Sequence, residues 1–399
     1  VFLNGQAHVE FRKGLNCLFT KKALETYLPV QDAVFSEFFE RFISISRDNN
    51  GQPGAFMAHF RLFNAAISCR TFVGYYLSDQ EVAKISDDLF CMTAAMDLVN
   101  IPLTVFIPYT RVWKGKRAAT AVRNAFIRAA AASRIHIAAG GKPTCIVDRW
   151  ISIMMESSKY QAQVATGNKD FQKPSITLRE FSDYEIAQVL FTFLFASQDA
   201  SSSATTWLFQ IMAQRPEILD RIREEALNVR NGMRYTSVSL NDLETMTYTN
   251  SVVKEVLRYR PPVIFVPYVT TTPFAITPTY TAPRGSMIIP SCYPALHDPE
   301  VYSQPDIFDP DRWISGNANE QTKNWLVFGA GPHQCIAQQY VSLTLMSMIE
   351  KASLEIEWTH HATRISEEIK VFACLFPMAS HLELRTAYDL LTCHRMIVR

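Results

Sequence analysis

Residues 182–215, "SDYEIAQVLFTFLFASQDASSSATTWLFQIMAQR", constrain the fold more than any other stretch of this chain. Ser182 and Glu185 have capping-box spacing, and apolar positions continue through Trp207, Leu208, Ile211 and Met212 until Pro216. About 32 residues at ~1.5 Å each make a helix of about 48 Å, long enough to cross a whole domain. Pro216 then suits the first turn of a second helix, "PEILDRIREEALNVR", with acids early and arginines late as the helix dipole prefers.

The segment "LNDLETMTYTNSVVKEVLRY" predicts a further helix with Asn241 as a possible cap, stopped by Pro261 and Pro262. Short β-prone pieces follow, "VIFVPYVTT", "FAITPTYTAP" and "GSMIIPS", divided by Pro and Gly. Beyond Cys335, apolar residues at helical spacing (Ile336, Tyr340, Leu343, Met346, Ile349) predict another helix, with the cysteine at or just before its N-terminus. The expected class is mainly α with a minor β-sheet. No Gly/Ser-rich linker, Pro-rich linker or internal repeat divides the 399 residues, so one large domain is expected.

A net charge of +1 gives no global field that would recruit nucleic acid. Eight cysteines without a C-x-x-C pair, in a chain this size, fit a reducing, cytosol-facing compartment. The opening "VFLNGQAHVEFRKGLNCLF" reads as a mid-domain segment without signal peptide or anchor, so an N-terminal piece is expected to be absent. The most apolar stretch, "AQVLFTFLFA", is too short to span a bilayer and reads as core helix. Between Asp97 and Asp148 there are eight Lys or Arg and no acid, behind the apolar "IPLTVFIPY". A solvated helix explains this; so does a surface that rests on an anionic membrane.

Cys335 lies in "VFGAGPHQCIAQQY", in a turn built from Gly329, Gly331 and Pro332. Unpaired N–H groups at a helix N-terminus favour thiolate, which makes a nucleophile or a metal ligand. A nucleophile needs a base, and His333, two residues away, points elsewhere unless the loop turns back. Zinc needs more ligands, and Cys374 and Cys393–His394 have no zinc-type spacing. An inert buried thiol is a further reading. So is a single thiolate on an iron held by another chelator, as haem is, with small residues admitting a flat macrocycle.

Two constellations bear on that choice. In "LFASQDASSSATTW" the long helix turns polar, and Ala196, Ala200 and Ser203 form a small stripe at i, i+4 and i+7 against which a planar group could lie. Asp199 and Ser201 beside it could relay protons; a polar kink packed on water or another helix is the alternative reading. Glu255 and Arg258 are i, i+3 neighbours, ordinarily a surface pair, and Arg312 in "PDIFDPDRW" is a possible third member of a Glu–Arg–Arg lock.

In this order the features resemble the cytochrome P-450 (haem-thiolate) superfamily. Phe328, Gly331 and Cys335 match F-x-x-G-x-x-x-C; Glu255 and Arg258 match E-x-x-R; Phe308, Pro310, Arg312 and Trp313 match the segment between. "FLFASQDASSSATTWLFQ", "AHVEFRKGLNCLFTKKALETYL" and "EEIKVFACLFP" resemble the sterol 22-desaturases of fungi. The resemblance implies a single P-450 domain over residues 1–399, lacking the family's N-terminal anchor and first helices, with an atypical tail from about 386 to 399. It implies haem b and a sterol substrate desaturated between side-chain carbons 22 and 23 during ergosterol synthesis. Dioxygen and electrons from NADPH through a flavoprotein NADPH–cytochrome reductase would drive the reaction. The implied place is the cytosolic face of the endoplasmic reticulum membrane. A haem-thiolate sterol or lipid hydroxylase, and a non-catalytic haem-binding fragment, are the alternatives.

Carried over by position, Cys335 would be the axial iron ligand, and Phe328 and Gly331 would pack at the haem with Ala196 and Ala200. His333 and Arg12 would meet the propionates. Phe193, Val263, Ile264, Phe265, Leu375 and Phe376, with Ala196, fall in substrate-lining segments, while Glu255, Arg258 and Arg312 would be structural. Two positions depart from the pattern. Ala200 stands where most members have the Thr of an acid–Thr pair, so Asp199 and Ser201 are the expected relay. Ala337 stands where a Gly is usual, and its methyl would crowd the ring.

Overall fold

The computed structural model describes residues 4–96, 105–166, 173–174, 176–320, 324–371 and 374–387. Its helices in chain order are α1 (Gly5–Asn16), α2 (Lys21–Asp48), α3 (Met57–Val73), α4 (Asp79–Ala95), α5 (Arg111–Ala138), α6 (Ile146–Ala165), α7 (Asp183–Ala213), α8 (Pro216–Val229), α9 (Leu240–Thr245), α10 (Thr247–Tyr259), α11 (Tyr293–Leu296) and α12 (Gln338–Glu355). Strands are short: β1 (Gly54–Ala55), β2 (Tyr268–Val269), β3 (Phe274–Thr277), β4 (Tyr280–Ala282), β5 (Met287–Ile288), β6 (Ile356–His360), β7 (Ile369–Val371), β8 (Leu375–Pro377) and β9 (His381–Thr386). They make the sheet β1-β9-β6 and the antiparallel pairs β2–β5, β3–β4 and β7–β8, the minor sheet expected of a mainly helical chain.

The long helix is α7. The Ser182 hydroxyl accepts from the Glu185 N–H at 3.3 Å while the Ser182 N–H donates back to the Glu185 carboxylate at 2.9 Å. Pro216 opens α8 as its missing N–H predicts. A ladder of aromatic rings ties α7 into the core: Phe42 of α2 meets Phe60 of α3 (5.6 Å), Phe60 meets Phe209 of α7 (5.0 Å), and Phe209 meets Trp358 of β6 (5.0 Å).

The helix expected over residues 240–259 is two helices. Ser239, not Asn241, caps α9, in a capping box with Asp242. The chain breaks at Met246 because Glu225 of α8 supplies a second cap: its carboxylate accepts from the N–H groups of Tyr248 (2.9 Å) and Thr249 (2.8 Å). Of "VIFVPYVTT", only Tyr268–Val269 is a strand, and Phe265 forms an isolated bridge to Ser291. The basic run lies on α5; Ile101–Thr104 of the apolar segment before it fall outside the described residues, as does the tail beyond 387.

Candidate functional site

Cys335 ends a turn that the backbone closes on itself. Its N–H donates to the Phe328 carbonyl at 2.9 Å, and Gln334 N–H donates to the Gly331 carbonyl at 3.0 Å. Gly329 and Gly331 both have φ of +71°, a left-handed conformation in which a side chain is strained, and a methyl on either would meet no neighbouring atom. Their missing side chains therefore leave open space in front of the loop. Cys335 is exposed on the open side of the turn. Burial pushes the thiol pKa up, opposed by the Ala337 N–H aimed at the sulfur and by the Arg12 guanidinium.

Two elements hold this loop, and the remaining candidate residues lie on a third, α7. From one side, the Glu255 carboxylate accepts from Arg258 at 2.8 and 2.9 Å, from Arg312 at 3.0 Å, from the Trp313 indole at 2.9 Å and from the Asp309 N–H at 3.0 Å. Both partners of the Glu255–Arg258 pair are fully buried, which corrects the surface pair that the spacing alone suggests and completes the Glu–Arg–Arg lock. Arg258 and Arg312 also donate to the carbonyls of Leu296, Pro305, Ser303 and Ile307, pinning the irregular segment before the loop. Trp313 passes that order on: its ring lies 5.9 Å from Trp325, which lies 5.5 Å from Phe328.

From a second side, Arg12 of α1 donates to the Gln334 carbonyl, and His8 stacks on His333 with ring centroids 4.0 Å apart. The two proposed anion partners, Arg12 and His333, are thus together, and His8 joins them unforeseen. Its signal in the sequence was one turn of spacing from Arg12.

The third element is α7. Ala196 and its neighbour Phe195 are exposed in the middle of α7 and Ala200 is half-buried, which leaves the small side chains of the two alanines open. Ser203 does not join them: it is buried and donates to the Leu375 carbonyl, which also accepts from the Trp207 indole at 3.0 Å. Most of the polar patch on α7 serves packing against α3, as the alternative reading expected, but α7 runs through it as one helix without the expected kink. Ser197 meets Ser68 (3.1 Å), Gln198 donates to the Arg61 carbonyl (2.7 Å), and Asn64 donates to Thr205 (3.2 Å). Asp199 is buried, ion-paired to Arg61 and accepting from Thr93 of α4 at 2.8 Å, so it does not bond Ser201. Neither Arg61 nor Thr93 was foreseen, because their partner lies 138 and 106 residues away.

The residues expected to line a substrate divide. Val263 and Ile264 are half-buried and Phe265 is exposed, whereas Leu375 and Phe376 are buried in β8, where they pack rather than face an open space. Phe193 meets Phe19 and Phe72 edge-on at 5.6 and 6.1 Å. Ala337 has φ −99° and ψ 16°, which any residue adopts, so nothing in the backbone demands glycine there.

Among the described residues no group of three or more His, Cys, Asp or Glu is placed to hold a metal ion. The donor set is one exposed thiol with an adjacent amide, open glycines, a cationic and imidazole pair at one end, and two small alanine side chains on α7. Those residues fit a flat macrocycle that brings its own ligands to iron and offers one axial position to sulfur.

Comparison with known proteins agrees. The family model described as "Cytochrome P450" matches residues 1–372. The protein described as cytochrome P450 monooxygenase oblE of Emericella variicolor is 60% identical over 95% of this chain and 72% of its own length. C-22 sterol desaturase ERG5B of Gibberella zeae is 59% identical over 94% of this chain and 71% of its own length. The Saccharomyces cerevisiae C-22 sterol desaturase ERG5 is 48% identical over 94% and 68%. Among solved structures, retinoic acid-bound cyanobacterial CYP120A1 superposes with a TM-score of 0.75 at 19% identity, covering 96% of this chain and 79% of that one, a likeness of fold.

Proposed function

The chain belongs to the cytochrome P450 family, and from that premise we propose that it is a sterol C-22 desaturase of ergosterol synthesis. The observation that carries this reading is the set of C-22 sterol desaturases from several fungi, 46–59% identical over most of the chain. In the reaction a –CH2–CH2– unit of the sterol side chain gives up two hydrogens. Dioxygen, two electrons and two protons from solvent complete two waters. The electrons would come from NADPH by way of a flavoprotein reductase, at the cytosolic face of the endoplasmic reticulum membrane.

A haem bound to Cys335 would supply dioxygen activation, its thiolate ligation favouring O–O cleavage. The protein's part is to hold the sulfur deprotonated, to anchor carboxylates at Arg12 and His333, and to deliver protons. The Ala337 N–H and Arg12 both favour the thiolate against the burial that opposes it. Asp199 and Ser201 are the proposed proton carriers on α7. The exposed Ala196 on α7 and Val263, Ile264 and Phe265 after α10 are the proposed apolar walls for the sterol. Phe106 and Tyr109, 77% and 80% exposed ahead of the acid-free basic helix α5, are the proposed membrane contact.

One observation favours a second reading. The relative at 60% identity is described as a monooxygenase, and a hydroxylase needs the same thiolate, electrons and protons but returns one oxygen atom to carbon. Product analysis separates the two. The holoprotein, reduced through a NADPH-dependent reductase and given a 22,23-saturated sterol, is expected to yield the 22-alkene; a stable alcohol as the only product overturns the desaturase reading. A reduced-carbonyl difference spectrum without the band of thiolate ligation would overturn both.

A further inference from the structure

One face of α7 holds the β7–β8 pair through its polar side chains. Ser203, Trp207 and Gln210 stand at i, i+4 and i+7, and Gln214 follows at i+11 on the C-cap. The Ser203 hydroxyl and the Trp207 indole, the latter at 3.0 Å, both donate to the Leu375 carbonyl of β8. The Gln210 amide donates to the Ser366 carbonyl at 2.9 Å and the Gln214 amide to the Glu367 carboxylate at 3.0 Å, both just before β7. These donors grip the two ends of one strand pair, which is thereby fastened to α7 over about three turns.

Leu375 carries that attachment further. Its N–H donates to the Pro262 carbonyl at 2.9 Å, so one residue joins α7 to the segment that follows α10. Trp207 reaches the same segment directly, because the Arg260 guanidinium lies over its buried ring, 5.1 Å from the centroid. Trp207, Leu375 and the Arg260–Pro262 segment therefore close a triangle. The apolar residues that come next are pinned from another side by Cys292, whose thiol donates to the Val263 carbonyl at 3.3 Å and whose N–H donates to the Ile264 carbonyl at 3.0 Å. Val263–Phe265 lies outside any strand, yet its backbone is tied at its entry and along its length.

A fixed wall matters here because of what separates an alkene from an alcohol. Both products take dioxygen, two electrons and two protons, and both begin with the loss of one hydrogen from the side chain. The alkene forms when a second hydrogen leaves the adjacent carbon and both oxygen atoms end as water; the alcohol forms when one oxygen atom returns to the first carbon. The choice turns on whether the adjacent C–H is held within reach. Ala196 lies on the Ser203 face of α7, seven residues or about two turns earlier, so one helix face carries both the exposed alanine and the tie to the wall. We propose that Trp207 and Ser203, acting through Leu375 and Arg260, set the Val263–Phe265 wall at a fixed spacing from α7 and so favour the alkene over the alcohol. They are positioning residues, and the inference rests on the reading of the chain as a C-22 desaturase with Val263–Phe265 against the sterol.

The experiment uses the full holoprotein with its reductase and a 22,23-saturated sterol. Trp207→Phe keeps a ring under Arg260 and leaves Ser203 donating to Leu375, so it removes one N–H from an otherwise intact site. Adding Ser203→Ala takes the second donor from the Leu375 carbonyl. The alcohol-to-alkene ratio is expected to rise about threefold in Trp207→Phe and about tenfold in the double variant, with a smaller change in KM. Haem content and the reduced-carbonyl band should equal wild type. Without sterol, amide hydrogen exchange in the peptide over residues 263–269 should quicken in the same order. A wild-type product ratio in fully haem-loaded Trp207→Phe overturns the proposal; if exchange is faster beside that unchanged ratio, the triangle is packing alone. Wild-type protein that makes only alcohol sinks the desaturase reading beneath it, whatever the variants do.

Discussion

The Cys335 N–H reaches back seven residues to the Phe328 carbonyl, 2.9 Å away, and that one bond makes the segment between them a closed turn with its cysteine facing outward. The turn is possible because Gly329 and Gly331 take φ of +71°. At Gly331 a side chain would meet no neighbour, so the cost of replacing it is backbone strain, of order 1–3 kcal/mol, located in the turn. Gly331→Val should therefore leave global unfolding by urea almost unchanged while lowering the haem content and the thiolate band of the reduced-carbonyl spectrum. A fully loaded Gly331→Val protein would mean that the turn does not need its left-handed residue.

Glu255 is the hub beneath that turn, and its removal should act differently. It is fully buried and accepts from two guanidinium groups, an indole and a backbone amide. Glu255→Gln keeps the shape but leaves Arg258 and Arg312 as unpaired buried charges, which costs about 3–5 kcal/mol. We expect the urea midpoint to fall by a large part of the transition, together with the haem spectrum. Loss of haem without loss of stability would make the lock a local device of the loop.

These two cases also mark what the sequence could and could not tell. The span of α7, its capping box, Pro216 at the head of α8 and the glycine turn before α12 are local patterns, and the structure keeps them. Burial of the Glu255–Arg258 pair is not local: the spacing reads identically on a surface helix, and only Arg312, Trp313 and four distant carbonyls make the site interior. The same holds for the break at Met246, which depends on a carboxylate from α8, and for Asp199, whose partners come from two other helices. Short-range signals name the residues; long-range contacts decide whether they pack, pair or stand open.

The α7 cap gives a stability that depends on pH. The Arg179 guanidinium, with the Ser182 N–H and hydroxyl, lowers the Glu185 carboxyl from 4.5 to about 2. A folded-state pKa below the unfolded one contributes stability that is fully present above 4.5 and is lost as the pH falls toward 2. The difference in stability between wild type and Glu185→Gln should be constant from pH 5 to 7 and shrink below pH 4.5. A difference that persists undiminished at pH 2 would assign the cap to hydrogen bonding without charge. Because Glu185 is exposed, its coupling to Arg179 should also weaken in salt.

The loop ahead of α5 carries the last prediction. Phe106, Ile107 and Tyr109 are exposed, and Lys116 lies 5.5 Å from the centre of the Phe106 ring, so an apolar tip and a cation occupy one surface. With Arg111, Lys114 and Arg117 on the first turns of α5 and no acid from residue 98 to 147, the local field favours an anionic lipid surface into which the tip can enter. Both terms are needed, since charge alone is screened within about 8 Å at physiological salt. Phe106→Asp with Ile107→Asp removes the apolar term and opposes the field. The double variant should lose co-sedimentation with vesicles containing phosphatidylserine while keeping its haem spectrum and its turnover of detergent-dispersed sterol. Binding equal to wild type would show that this loop does not rest on the membrane, and would leave the basic face of α5 as an ordinary solvated helix.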